Sequence, residues 1–222
     1  MRILPSTRAR YVLCSFIACL ALFCSCSDEA DFAPPYRVDM AHVTTDASGL
    51  ARTMLLDDGT LLNVRNNYST QLRDTAFRAI GVYVRDGLSA QVSQIVPVLT
   101  ASLLRRQPNT SEEAPLRVLS IWRGSRYLNF HLRLPTGPSA KPHTLGLTLV
   151  NLEERDGGKA TAKLRLLHKQ GDDDIYYYRD AYFSCDLSPL ADYPQVDSLR
   201  LTIITDRGQR EYGFRRKKNF PL

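Results

Sequence analysis

Residues 126–134 read RYLNFHLRL, and the period of this stretch decides the fold class. Leu128, Phe130, Leu132 and Leu134 alternate with Tyr127, Asn129, His131 and Arg133, so consecutive side chains fall on opposite sides of an extended chain. A repeat of two marks a strand with one apolar and one wet face, whereas a helix face recurs every ~3.6 residues. The same alternation returns in YFSCDL at 182–187, where Phe183, Cys185 and Leu187 share one face and Ser184 and Asp186 the other. Cys185 therefore reads as a small core residue, since a nucleophilic role would need a histidine brought close in space.

Five further segments read as strands: Leu116–Trp122, Thr144–Leu152, Thr161–His168, Ser198–Thr205 and Glu211–Arg216. With the two above they predict a seven-stranded β-sandwich over 116–218, with 219–222 as a tail. Residues 107–115, QPNTSEEAP, are polar and bounded by prolines, which predicts a linker and a domain boundary. Before it lie Tyr36–Thr45, Ala51–Leu56, Thr60–Val64, Ala76–Val84 and Ala90–Leu104, the last interrupted at Pro97. Asp58-Gly59 and Asp86-Gly87 mark tight turns, because both residue types tolerate positive φ. Five strands in so short a span predict a small barrel over 36–106. No segment carries a sustained helical repeat, so the fold class is all-β.

The N-terminus sets the compartment. Arg2, Arg8 and Arg10 precede an uncharged apolar run from Val12 to Phe23, too short for the ~20 residues that span a bilayer. Cys24-Ser25-Cys26 closes it, followed by Ser27, Asp28 and Glu29. This reads as a lipoprotein leader over 1–25, with Cys26 acylated and residues 26–35 forming a tether. Cys26 is preferred over Cys24 because small Ser25 precedes it. The formal charge of +6 falls to +3 once the three leader arginines are removed, which is no signature of nucleic-acid binding. Once Cys14, Cys19 and Cys24 leave and Cys26 is acylated, Cys185 has no partner for an intramolecular disulfide, and the domains must stand on apolar packing.

The leader ending CSCSDE, LLDDGTLLNV at 55–64, RYLNFHLRL at 126–134, HTLGLTLV at 143–150, LRLLHKQGDDD at 164–174 and YFSCDLSPL at 182–190 together resemble the NigD-like family of exported bacterial lipoproteins. The resemblance implies an N-terminal OB-like barrel and a C-terminal β-sandwich. Residues 65–80 and Cys185 depart from the family pattern. It carries over no catalytic residue. The family name comes from an association with a bacteriocin operon, which implies immunity as one role. Ser27-Asp28-Glu29 resembles the acidic surface-export signal that follows the acylated cysteine in the same lineages, which places the chain in the outer membrane, facing outward.

Chemical sites are sparse. His42, His131, His143 and His168 fall on separate predicted strands or turns without HExxH or paired Cys/His spacing, so no metal or cofactor is expected. Asp172, Asp173 and Asp174 lack the alternation of a calcium loop and read as a solvated hairpin tip. Tyr176, Tyr177 and Tyr178 offer a sugar-stacking platform, though alternate tyrosines must point apart. Ser125 stands in no nucleophile elbow. Asn67 and Asn109 begin N-glycosylation patterns, and Asp74-Thr75-Ala76 and Asp197-Ser198-Leu199 resemble a bacterial O-glycosylation sequon. The expectation is a non-catalytic, lipid-anchored envelope protein that binds a protein or glycan, with bacteriocin immunity and envelope hydrolysis as alternatives.

Overall fold

The structure is a computed structural model, and it describes residues 35–105, 113–138 and 141–215. Cys26, the leader, most of the tether and Asn109 lie outside the described residues. Tyr36 onward forms one compact unit containing two separate apolar cores, and no α-helix occurs among the described residues.

The first core is enclosed by β1 (Tyr36–Thr45), β2 (Ala51–Leu56), β3 (Leu61–Val64), β4 (Ala76–Asp86) and β5 (Ser89–Pro97). They close into a barrel in the order β1-β2-β3-β5-β4, with β4 returning to β1 and a short parallel contact between β3 and β5. Met54 and Tyr83 fill the interior, and the Met54 methyl group lies over Gly81, where a Cβ would be 2.3 Å from Met54 Cε and the methionine would have to turn aside. The β2–β3 turn forms at Asp58-Gly59 as the sequence predicts: Gly59 has φ +88°, and Asp58 Oδ1 accepts the Thr60 N–H at 2.8 Å. The atypical loop after β3 is tied to the barrel. Asn66 Nδ2 donates to the Val92 carbonyl at 2.7 Å while its Oδ1 accepts the Val92 N–H at 2.8 Å, replacing a missing strand neighbour.

The second core lies between two four-stranded sheets built from β6 (Leu99–Ser102), β7 (Arg117–Gly124), β8 (Tyr127–Thr136), β9 (Thr144–Arg155), β10 (Lys159–Lys169), β11 (Tyr177–Asp186), β12 (Val196–Thr205) and β13 (Gly208–Arg215). Their orders are β6-β11-β8-β7 and β13-β12-β10-β9. Leu128, Phe130, Leu132, Phe183 and Cys185 from one sheet meet Leu147, Leu164, Leu166, Leu201 and Ile203 from the other. Cys185 sits in this core as expected, and burial pushes its thiol up to about 12.

Three expectations are corrected. The sandwich has eight strands, and it begins at Leu99 rather than after 115. Pro97 ends β5; Val98 then donates to the Arg78 carbonyl at 2.9 Å, and Leu99–Ser102 turns away to pair in parallel with β11. Residues 170–176 are no hairpin tip, because β10 and β11 belong to different sheets and the segment crosses between them. The wet face of RYLNFHLRL is only partly wet. Tyr127 and Asn129, together with Ser184, are buried beneath the barrel.

Candidate functional site

The covered end of that face holds a buried charge. Arg78 on β4 is 3% exposed and is surrounded by polar groups from both halves. Its Nη2 donates to Asp57 Oδ2 at 2.6 Å and to Asn129 Oδ1 at 3.2 Å, and its Nε to Ser184 Oγ at 3.4 Å. Ser184 Oγ donates to Asn129 Oδ1 at 2.7 Å, and Asn129 Nδ2 to Asp57 Oδ2 at 3.2 Å. The guanidinium lies 4.2 Å from the centre of the Tyr127 ring, on which His42 also stacks. Burial, and then the charge of Arg78, lower the pKa of His42 and favour its neutral form. A buried cation stands only when its donors are answered, and here both domains supply the acceptors.

Beside this cluster a cleft of about 330 Å3 opens between barrel and sandwich. Asp39 and Met40 of β1 and Leu56, Asp57 and Asp58 at the β2–β3 turn form one wall; Trp122, Arg123, Gly124 and Ser125 of the β7–β8 hairpin form the other. Gly124 is required by the close approach, since a Cβ there would lie 1.9 Å from Asp57 Oδ2. Ser125 takes φ +49° to make the turn. Asp39 accepts the Tyr83 hydroxyl at 2.8 Å, and Tyr83 is raised above the usual phenol range by burial and by that carboxylate. The cleft therefore has an indole, a methionine and Arg123 among carboxylates held by fixed donors. Such a surface stacks apolar C–H faces and accepts hydrogen bonds.

A second polar cluster lies at the other end of the sandwich. His143 Nδ1 is 2.9 Å from His168 Nε2, and His143 Nε2 is 3.2 Å from Asp173 Oδ2. His168 Nδ1 donates to the Ala114 carbonyl at 2.9 Å, which leaves its Nε2 to accept from His143. Burial lowers the His168 pKa, opposed by the Ala114 hydrogen bond. Asp173 Oδ2 also accepts from Thr136 Oγ1 at 2.7 Å and the Gly137 N–H at 3.0 Å; the Thr136 bond first, then Gly137, holds its carboxyl far below the usual range. Every ring nitrogen of the pair is thus engaged within the protein. Among the described residues no group of three or more His, Cys, Asp or Glu is placed to hold a metal ion.

The sequence-predicted candidates are sorted accordingly. His143 and His168, expected to lie apart, meet because the β9–β10 register pairs Leu145 with His168 and makes His143 its diagonal neighbour. Asp173 is buried at their end, while Asp172 and Asp174 remain exposed. His131 stacks on Tyr182 and contacts Asp180 Oδ2 at 3.1 Å, taking no part in the His143–His168 pair. Of the tyrosines, Tyr178 is covered by the Arg117 guanidinium at 3.8 Å, and Tyr176 and Tyr177 are exposed. Arg78, Asp57, Asn129 and Trp122 were not singled out by the sequence. The one available signal was Arg78, a charge at an outward position of an otherwise apolar strand, AFRAIGVYV.

No curated protein matches the chain. Among solved structures it resembles a protein of unknown function from Bacteroides vulgatus (16% identity, 83% of this chain and 92% of that chain, TM-score 0.67). It also resembles a NigD-like immunity protein from Bacteroides caccae (22%, 84% and 100%, TM-score 0.61). A third is a candidate lipoprotein from Bacteroides fragilis (12%, 84% and 100%, TM-score 0.62). At these identities the likeness is one of fold. The family profile of the NigD-like C-terminal beta sandwich domain matches residues 99–216, starting at the strand where the sandwich begins. Covering more than half of the sequence, this match shows that the chain belongs to the NigD-like family.

Proposed function

We propose that the protein is held in the outer membrane by a lipid on Cys26, faces the cell exterior, and acts by binding an envelope protein or glycan rather than by catalysis. The observation that carries this reading is the cleft at the domain junction, where Trp122 and Met40 stand among Asp39, Asp57 and Asp58. Its walls come from different halves of the chain and are fixed by the Arg78 cluster, so the surface is preorganised and little ordering entropy is lost on binding. A non-catalytic role is supported by the state of the usual reactive groups. Cys185 is sealed in the core with a raised pKa, and His143 and His168 hold all their ring nitrogens in fixed contacts. The anchor is supported by the leader and by the acidic residues behind Cys26.

The test is capture from envelope extracts and from arrayed glycans, using the mature chain and its Trp122→Ala variant. Loss of the indole is expected to weaken capture about tenfold or more without shifting the melting temperature. Turnover of an ester, peptide or glycoside that a single Asp or His substitution abolishes would overturn the reading. Bacteriocin immunity is the second reading, favoured by the family and by the likeness to the Bacteroides caccae immunity protein. In that case the captured partner is a toxin or its target, and expression protects a sensitive cell.

A further inference from the structure

We propose that the open edge of β11 between Tyr177 and Tyr182 is a docking groove that accepts an extended, acidic segment of a partner protein as an added strand. β11 pairs with β8 along its whole length, from Tyr177 opposite Thr136 to Asp186 opposite Tyr127. On its other side β6 covers only Phe183 to Asp186. β6 cannot reach further, because the chain before Leu99 turns into the barrel at Val98 and Pro97. Among the described residues, no strand pairs with that side of Tyr177–Tyr182. Along a strand, alternate residues turn their N–H and C=O groups to opposite sides, so half of this stretch presents unpaired ladder positions.

The edge does not face open solvent alone. It forms one side of a groove of about 270 Å3 whose other side is the segment Lys141–Leu145 leading into β9. Leu99, 53% exposed, and Tyr182, 37% exposed, supply apolar contact at the barrel end. The charge inside is one-sided. Asp180 is answered by Arg133 Nε at 2.8 Å and His131 Nε2 at 3.1 Å, and His143 is answered by Asp173. Among the described residues Arg179 and Lys141 remain as the excess, Lys141 donating to a neutral carbonyl, that of Asp172, at 2.8 Å. Backbone groups that require a strand, apolar walls and two cations together fit an extended peptide in which acidic residues alternate with apolar ones. The groove shares no lining residue with the Trp122 cleft, so this inference stands or falls apart from the function proposed above.

The probe is a capped Glu-Val-Glu-Val-Glu-Val peptide, with the Lys-Val counterpart and an N-methylated Glu-Val version as controls, titrated into the 15N-labelled chain from Ser27. The acidic peptide should shift and protect the amides of Arg179–Tyr182, while both controls fail to do so. Arg179→Glu, at an exposed position, should weaken binding by about tenfold or more with the melting temperature unchanged. Equal binding of the lysine peptide, indifference to N-methylation, signals that move only around Trp122, or no binding at millimolar peptide would each overturn the proposal.

Discussion

Arg78 carries a full charge at 3% exposure, and its tolerance there depends on Asp57 more than on any other neighbour. Replacing one partner of a buried pair leaves the other desolvated and unanswered, so Arg78→Ala should cost about 3–5 kcal/mol in chemical denaturation. The double variant Arg78→Ala, Asp57→Ala should cost clearly less than the sum of the single ones, because no orphaned carboxylate remains. His168 sets a pH dependence. Its folded pKa lies below the usual 6.5, so as pH falls through that value the unfolded chain takes up the proton first and the native state loses stability. His42 acts in the same direction, and Asp173, held below the usual 3.8, adds a further loss under more acidic conditions. Denaturation at pH 7.5 and 5.5 should show lower stability at the acid value, and His168→Gln should flatten that slope.

The β7–β8 hairpin and the strand β6 show how single elements join the two halves. Gly124 ends β7 where Asp57 of the barrel must pass, and its backbone is not left-handed, so an alanine there is opposed by contact alone. Gly124→Ala would place its Cβ 1.9 Å from Asp57 Oδ2, displacing the carboxylate from Arg78. The expected loss is about 2–4 kcal/mol, falling to near zero in an Asp57→Gly background where the obstructing group is gone. Calorimetry on the four chains of this cycle checks it. β6 makes the second join by continuing directly from the barrel into the sandwich ladder, so the break in the sequence pattern that reads as a linker falls inside the sandwich fold. Pro97, and not the polar stretch QPNTSEEAP, marks the place where the chain changes sheets.

At the scale of the whole molecule, the anchor makes a separate expectation. Cys26→Ala should move the protein to the soluble fraction and abolish labelling by a fatty-acid analogue, and protease added to intact cells should digest the lipidated form. Retention in the membrane, or label on Cys24, would sink the assignment. The folded part divides into what is local and what is not. The alternation of Leu128, Phe130, Leu132 and Leu134, the turn at Asp58-Gly59 and the placement of Cys185 in the core were legible in the sequence. Each follows from backbone geometry within a few residues, which holds wherever the strand ends up. The candidate sites were not legible, because they join residues far apart along the chain: Arg78 reaches Ser184, 106 positions away, and Asp57 reaches Asn129, 72 away. A period of two assigns Asn129 and Ser184 to a polar face, but whether water or a buried guanidinium satisfies them depends on where the barrel docks. The same holds for Asp173, which a run of aspartates places in solvent and a crossover between sheets buries against His143. The sequence alone thus determined strands, faces and turns, since these are set by local sterics. Only the tertiary structure decided which polar groups leave water, because that depends on which distant surfaces pack together.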